Sequence, residues 1–161
     1  MNVSANNRAG SDGLGKADEY VVGVDFGTLS ARAVVVSVAD GTEAGAAVHE
    51  YPHGVMERAL AATGEPLPPD WALQDPADWV EALRVTVPAA VEAAGICSAR
   101  VTGIGTDFTA STCMPVLRDG TPLCAVPGLD GRPHAYPKLW KHHAAQPHAD
   151  RINALAHERG E

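Results

Sequence analysis

The sequence predicts an α/β fold in which a mixed β-sheet carries flanking helices. Three patterns in the 161 residues indicate it. Two valine-rich apolar runs, residues 21–24 and 33–36, are joined by a short polar turn containing Gly27, as in a β-hairpin. Apolar side chains then recur at helical spacing after Asp75, and a third apolar run occupies residues 101–106. Strands before and after a helix are typical of a mixed sheet.

Composition and charge limit the class of protein. A hydrophobic share of 45% and a charged share of 20% are typical of an ordinary globular domain. The net charge of -8 argues against nucleic acid as a partner, because binding a phosphate backbone needs a basic surface. No apolar run approaches the ~20 residues that cross a bilayer, and residues 1–16 lack a secretory signal. The cysteines lack metal-ligand spacing and predict reduced thiols, hence a cytoplasmic protein: Cys97, Cys113 and Cys124.

The first elements are predicted in chain order. Residues 1–19 are rich in Asn, Gly, Ser and Ala and predict a disordered leader. Both runs of the hairpin are almost wholly apolar, so both of its faces are expected to be buried. A third strand is expected over residues 43–51, and the prolines within residues 52–71 predict a loop.

The helix has clear start and stop signals. Asp75 is expected to cap it, Pro76 to occupy its first position and Gly95 to end it. Pro88 lies inside the helix and predicts a bend near Arg84. The side chains expected to face the core are Trp79, Leu83, Val87, Ala90 or Val91, and Ala94.

Beyond the helix, the pattern predicts a buried strand over residues 101–106, a short strand over residues 114–117 and a tight turn over residues 118–121. Helical spacing over residues 136–143 predicts a short amphipathic helix. A further helix is expected to begin at Pro147. The residues of that helix expected to face inward are Ile152, Leu155 and Ala156.

The turn of the hairpin brings polar groups to one edge of an apolar sheet. Backbone N–H groups of a tight turn bind anions, and Gly27 lets the backbone approach a ligand closely. Thr28 and Ser30 can donate to phosphate oxygens, and Arg32 adds a charge-assisted fork. Asp25 suits a phosphate site only through a shared Mg²⁺, which prefers carboxylate, water and phosphate oxygens. The alternative is a plain hairpin turn built from favourable turn residues.

A second polar group follows the strand at residues 101–106, and strand ends are where α/β folds bind ligands. The candidates for holding a polar substrate are Thr106, Asp107, Thr109, Ala110 and Ser111. The alternative is that these hydroxyls cap the next turn internally.

Trp140 is a third candidate, because an indole stacks on the apolar face of a sugar while its N–H donates a hydrogen bond. The alternative is an aromatic side chain that faces the core. Five histidines between positions 134 and 157 lack the spacing of a zinc site, which favours structural or solvated roles.

Several segments together resemble the FGGY family of carbohydrate kinases. They are V-G-V-D-F-G-T-L-S-A-R-A-V-V-V, V-H-E-Y-P-H-G-V, W-A-L-Q-D-P-A-D, G-I-G-T-D-F-T-A-S-T and P-H-A-Y-P-K-L-W-K-H-H-A-A-Q-P. The resemblance runs from about Tyr20 to the last residue. It implies a ribonuclease H-like sheet of the actin/hexokinase type, in which residues 20–161 form an incomplete N-terminal, sugar-binding domain.

The resemblance implies a reaction: transfer of the γ-phosphoryl group of ATP to the 5-hydroxyl of L-ribulose, or of a related pentulose or pentitol. Asp25 would help hold Mg²⁺, and Thr28 with Arg32 would meet the ATP phosphates. Ala110 and Trp140 would contact the sugar. Lys138 and Lys141 would assist by charge. A homodimer of the full-length enzyme is compatible with the family.

Two features depart from the family pattern, Pro137 and the loop over residues 125–132, and both lie near Trp140. The catalytic Asp and the adenosine-binding domain of the family resemble nothing present here, so no catalytic residue is assigned and the chain is expected to be an N-terminal fragment, inactive alone. The alternatives are another pentulose or polyol kinase, a non-catalytic actin-like nucleotide-binding fragment, and a degenerate remnant.

Overall fold

A computed structural model of the chain describes residues 18–160. The strands and α-helices along these residues are β1 Tyr20–Phe26, β2 Ser30–Ser37, β3 Glu43–Glu50, α1 Pro76–Ala93, β4 Val101–Phe108 and α2 Gln146–Arg159. The predicted leader lies outside the described residues as far as residue 17. In the described part of the chain, neither helix is both long and apolar enough to cross a membrane.

The four strands form one mixed sheet in the order β3-β2-β1-β4. β1 pairs antiparallel with β2, and β2 antiparallel with β3, so the predicted hairpin and third strand are confirmed. β4 returns after α1 and pairs with β1 in parallel. The parallel pairing brings the carboxyl ends of β1 and β4 to the same edge of the sheet, where the two predicted polar groups lie.

Helix α1 begins and ends where its capping residues predict. The Asp75 carboxylate accepts a hydrogen bond from the Ala77 N–H at 2.9 Å, and Pro76 is the first helical residue. Gly95 follows the helix with φ of 65°, a left-handed conformation that favours glycine. The helix continues through Pro88 without a break.

Small side chains face the sheet from α1. Ala82, Thr86 and Ala90 are fully buried, and the Thr86 hydroxyl donates to the Ala82 carbonyl at 2.8 Å, which satisfies this buried polar group. Leu83, predicted to face the core, is 37% exposed, so this part of the prediction is wrong. The reason is close packing: a Cβ at Gly45 of β3 would lie 2.7 Å from the Ala90 carbonyl oxygen, so this interface has room only for small residues.

The sheet is covered on one face only among the described residues. Val22, Val24 and Phe26 are buried on the α1 face, whereas Gly23 and Asp25 on the opposite face are exposed. The prediction that both faces of the hairpin are buried is therefore wrong for this chain. The strand over residues 101–106 was likewise expected to be buried, but Ile104 is 58% exposed because α1 packs chiefly on β3 and β2.

A second buried cluster forms outside the sheet, where residues 56–73 meet residues 123–139. Leu73 is central to it: its carbonyl accepts from the Met56 N–H at 2.8 Å, and it bridges to Lys138 on its other side. The buried members of the cluster are Met56, Leu60, Leu67, Leu73, Cys124, Ala135 and Tyr136.

Three predictions fail in the C-terminal third. No strand forms over residues 114–117, where Val116 makes one isolated bridge to Pro122 instead. Residues 136–139 are extended, not helical, because Pro137 disfavours the helical conformation in the residue before it and Lys138 bridges to Leu73 and Cys113. α2 forms as predicted, with Pro147 in its first turn, but Ile152 and Leu155 are exposed.

Asp78 joins α1 to the loop that precedes it. Its side chain is buried and accepts two hydrogen bonds from His53, one from the backbone N–H at 3.1 Å and one at the ring Nδ1 at 2.7 Å. The hydrogen bond with Asp78 raises the pKa of His53 above the ordinary 6.5, against the opposing effect of burial.

We expect the free energy of unfolding to fall as the pH rises through the raised His53 pKa. Protonated His53 binds Asp78 in the folded state but not in the unfolded state. The stabilisation from this pair is therefore complete below pH 6.5 and is lost as the pH rises through the raised His53 pKa. In Asp78→Asn, urea unfolding from about pH 5.5 to about pH 8.5 should show most of this pH dependence lost, because Asp75 and Glu81 contribute less than Asp78. The exposed His148 provides the control, because His148→Gln should keep the wild-type profile. An unchanged profile in Asp78→Asn would contradict the assignment.

Candidate ligand site at the carboxyl ends of two strands

The turn between β1 and β2 is held on both sides. The Gly27 N–H donates to the Ser30 carbonyl at 2.9 Å, and a Cβ at Gly27 would lie 3.1 Å from that oxygen, so the turn is compact. The Thr28 carbonyl accepts from the Gln74 side-chain amide at 2.8 Å. The Thr28 side chain is directed toward Trp140.

Trp140 reaches this turn from a distant part of the sequence. Its indole N–H donates to the Thr28 hydroxyl at 3.4 Å, although the two residues are separated by 112 positions. Trp140 is 55% exposed, so it is not a core aromatic. The predicted phosphate-binding turn and the predicted sugar-stacking residue are therefore neighbours.

The loop after β4 closes a small cavity beside the turn. The Thr109 N–H donates to the Phe26 carbonyl at 3.3 Å, and the hydroxyls of Thr109 and Thr112 lie 2.9 Å apart. The rings of Phe26 and Phe108 stack with centroids 5.1 Å apart. The cavity has a volume of about 220 Å³ and is lined by Phe26, Gln74, Trp79, Phe108, Thr109, Thr112 and Met114. A cavity of this size has room for a small ligand only, and its polar lining residues are Gln74, Thr109 and Thr112.

A second hollow, of about 390 Å³, lies on the uncovered face of the sheet. Asp25 is opposite Arg32 on β2 and level with Asp107 on β4, which places two carboxylates and a guanidinium on adjacent strands. A Cβ at Gly23 or at Gly105 would meet no atom within 4 Å, so the floor between these side chains is open. Residues on adjacent strands at the same level lie close enough to share one ligand.

This donor set fits a magnesium–phosphate group. Mg²⁺ in proteins is typically held by one or two carboxylates together with waters and phosphate oxygens, and Asp25 with Asp107 provides such a pair. Residues 18–160 contain no group of three or more His, Cys, Asp or Glu side chains placed to hold a metal by themselves. Arg32 now donates to Glu43 at 3.2 Å and is half exposed, so its guanidinium is accessible to a phosphate.

The other predicted site residues lie in different surroundings. Ser30 begins β2 and contributes its carbonyl to the turn, Thr106 belongs to the α1 face of β4 through its pairing with Val24, and Ala110 is exposed in the loop after β4. The Asp107 carboxylate accepts from the Phe108 N–H at 2.9 Å.

Lys138 uses its ammonium group inside its own loop. Its Nζ donates to the carbonyls of Pro133, His134 and Tyr136 at 3.2, 2.9 and 3.0 Å. Burial lowers the pKa of this amine. Because three protons meet three carbonyls, Lys138 fixes the segment that carries Trp140 and has no free donor for a sugar in this conformation.

Two residues near the site escaped the sequence analysis. Gln74 is 1% exposed and contacts the turn; it lies in the segment W-A-L-Q-D-P-A-D, but nothing in that segment indicates a contact with Thr28. Trp71 packs edge-on against His134 and His142, with the Lys138 amine 5.8 Å from its ring centre. Burial lowers the pKa of His142, whose Nδ1 accepts from the Ala72 N–H at 3.2 Å. Two of the clustered histidines, His134 and His142, are thus part of the loop packing.

The chain is similar over most of its length to curated proteins called ribulokinase. It is 60% identical over 146 residues to the ribulokinase of Mycolicibacterium smegmatis, and the matched segment covers 90% of this chain and 26% of that protein. It is 51% identical over 142 residues to the ribulokinase of Shouchella clausii, covering 88% of this chain and 25% of that protein. The chain therefore spans about a quarter of the length of the curated relatives it matches.

Solved structures of sugar kinases have the same fold. A xyloylose kinase from Brucella ovis superposes with a TM-score of 0.66 at 24% identity, over 88% of this chain and 25% of that one. A gluconate kinase from Lactobacillus acidophilus gives a TM-score of 0.62 at 16% identity, over 89% of this chain and 23% of that one. No protein-family model matches the chain. The predicted fold class, a mixed sheet of the actin/hexokinase type, is confirmed.

Proposed function

We infer, since this chain is homologous to the ribulokinases over 90% of its length, that it forms part of a carbohydrate kinase that phosphorylates L-ribulose with ATP. The chain provides the sugar-binding side of the site and the first phosphate-binding turn. Because it spans about a quarter of its relatives, the activity is proposed for the whole kinase, and the chain alone is expected to bind ligands without turnover. The location proposed for the enzyme is the cytoplasm, and residues 20–161 are proposed as part of its sugar-binding domain.

One observation supports this proposal above the others: the Trp140 indole contacts the Thr28 hydroxyl at 3.4 Å. An indole stacks on the apolar face of a ketose, whereas the turn at Thr28 provides hydroxyl and N–H donors for phosphate. A kinase must bring these two ligands together, because phosphoryl transfer depends mainly on positioning and electrostatic stabilisation.

The roles of the individual residues follow from their chemistry. Thr28 and Ser30 donate to phosphate oxygens, and Arg32 exchanges Glu43 for a phosphate. Asp25, with Asp107, would hold Mg²⁺, which would supply positive charge to neutralise the phosphoryl oxygens. Trp140 stacks on the sugar, and Thr109 with Ala110 lines its other side. No described residue is proposed as the base that accepts the hydroxyl proton.

Replacing Trp140 should weaken sugar binding with little effect on stability. Trp140→Ala removes the stacking of the indole on the sugar, which contributes about 0.5–1.5 kcal/mol to binding, and also the apolar area that the indole buries against the sugar. We therefore expect the affinity for L-ribulose to be at least about tenfold lower. The thermal midpoint should change little because the indole is 55% exposed. Isothermal titration calorimetry measures the affinity, and Ile152→Ala on exposed α2 is the control, with wild-type binding.

The same titrations separate the alternatives. Stronger binding of D-xylulose or glycerol than of L-ribulose would favour another sugar or polyol kinase. Binding of MgATP without any sugar binding would favour an actin-like nucleotide-binding fragment. The net charge of -8 supports the absence of a nucleic-acid partner, and the homodimer of the full-length enzyme stays a prediction.

A further inference from the structure

Gln74 joins three separate parts of the candidate site. Its side-chain amide donates to the Thr28 carbonyl at 2.8 Å, and its backbone N–H donates to the Pro137 carbonyl at 3.4 Å. Its side chain also lines the cavity that contains Thr109 and Thr112. The residue is 1% exposed, so this amide is a buried polar group in the interior of the site.

The hydrogen bonds around Gln74 form a closed circuit. Ala72 accepts from the Leu139 N–H at 3.0 Å, which runs the chain before Gln74 alongside the segment that ends in Trp140. Trp140 donates to the Thr28 hydroxyl at 3.4 Å, and the Thr28 carbonyl accepts the hydrogen bond from the Gln74 amide, so the contacts form a closed ring. Thr28 is therefore held through its carbonyl by one residue and through its hydroxyl by another.

Burying the Gln74 amide costs desolvation free energy, which one short hydrogen bond to the Thr28 carbonyl offsets. Burying an amide without a partner is unfavourable, so the position tolerates Gln only while the Thr28 carbonyl accepts its hydrogen bond. A methionine of similar size would pack in the same volume without this cost. The geometry suits a residue that fixes the position of the turn relative to the cavity.

We propose that Gln74 is a positioning residue that fixes the turn between β1 and β2 relative to the cavity lined by Thr109 and Thr112, through the Thr28 carbonyl. The claim that Gln74 links the nucleotide to the sugar rests on the proposed function. The claim that Gln74 fixes Thr28 and, through it, Trp140 rests on the hydrogen bonds alone. When Gln74 loses its donor, Thr28 is free to move and the indole of Trp140 loses its fixed partner.

The first test needs no ligand. In ¹H–¹⁵N spectra, the indole N–H signals of Trp71, Trp79 and Trp140 are assigned with Trp→Phe variants. In Gln74→Met, the Trp140 indole and Thr28 amide signals should shift, and solvent exchange of the Trp140 indole N–H, which donates to the Thr28 hydroxyl, should accelerate about tenfold. Gln146→Met changes the exposed glutamine of α2 and should leave all these signals unchanged.

A second variant distinguishes positioning from simple packing. In Gln74→Glu, the protonated acid donates to the Thr28 carbonyl, but the carboxylate does not. Burial raises the pKa of such an acid, so the Trp140 signal should return toward its wild-type position as the pH is lowered. The Gln74→Met signal should not respond to pH in this way. Unchanged Trp140 and Thr28 signals in a folded Gln74→Met, or identical pH behaviour of the two variants, would overturn the proposal.

Ligand titration then connects the positioning role to the proposed function. L-ribulose should bind Gln74→Met at least about tenfold more weakly than the wild-type chain, and Gln146→Met should bind as the wild type does. If the wild-type chain binds no sugar while the ligand-free signals change as expected, the proposed function fails and the role of Gln74 stands. If sugar binding is normal in the wild type and equal in Gln74→Met, the link between turn and cavity is wrong.

Discussion

Gly45→Ala should destabilise the chain by about 2–3 kcal/mol, more than an added methyl group costs at most positions. The new Cβ would lie 2.7 Å from the Ala90 carbonyl oxygen and closer still to the Ala94 backbone nitrogen. These neighbours are backbone atoms of α1 and of the residue that caps it, so no side-chain rotation can relieve the overlap. The helix must move away from β3, which opens the interface that Ala82 and Thr86 fill.

Urea unfolding measures this effect, and Gly103→Ala provides a matched control. Gly103 lies on β4, where a Cβ would make only an ordinary contact of 3.8 Å with Val21. We expect this control to stay within about 0.5 kcal/mol of the wild type, since alanine costs less conformational entropy than glycine in a strand. Equal destabilisation by both variants would show that close packing at Gly45 is not the cause.

Leu73→Ala should cost about 2–5 kcal/mol, because it removes a fully buried side chain and leaves a cavity. Leu73 packs at the centre of the second cluster, and its backbone bonds to Met56 on one side and bridges to Lys138 on the other. The loss should therefore loosen the extended segment that carries Trp140, and sugar binding should weaken with stability.

Leu83→Ala is the control for this prediction. Leu83 has the same side chain but is 37% exposed on α1, and alanine is the best helix former, so we expect a change below about 1 kcal/mol. Denaturant titration of both variants gives the comparison. A larger effect at Leu83 than at Leu73 would contradict the assignment of the core.

The local elements could be predicted from the sequence because their signals are local. The hairpin, the third strand and both ends of α1 follow from valine runs, Gly27, Asp75 and Gly95. The buried face of α1 was predicted apart from Leu83, since Trp79, Val87, Ala90, Val91 and Ala94 belong to the core or pack against it. Periodicity favours Leu83 as well, whereas the close approach of Gly45 selects small residues. The approach depends on a strand that is distant in sequence.

The candidate site was predictable in its parts and not in its connections. The turn at Thr28 and the aromatic at Trp140 each have residue types suited to a ligand. Their contact depends on residues 136–139 being extended, although their spacing predicts a helix. Gln74 was missed because a hydrogen bond to a backbone carbonyl depends on tertiary structure, which no pattern in a single sequence records.

The parallel pairing of β1 with β4 has a consequence for how the site assembles during folding. The Thr102 hydroxyl donates to the Tyr20 carbonyl across 82 residues, so this pairing closes a long loop, whereas β1, β2 and β3 meet through short turns. Loop closure over such a distance carries an entropic penalty that local pairing avoids, and non-local strand contacts form slowly. We therefore expect the turn between β1 and β2 to form before β4 docks beside β1 and brings Asp107 level with Asp25.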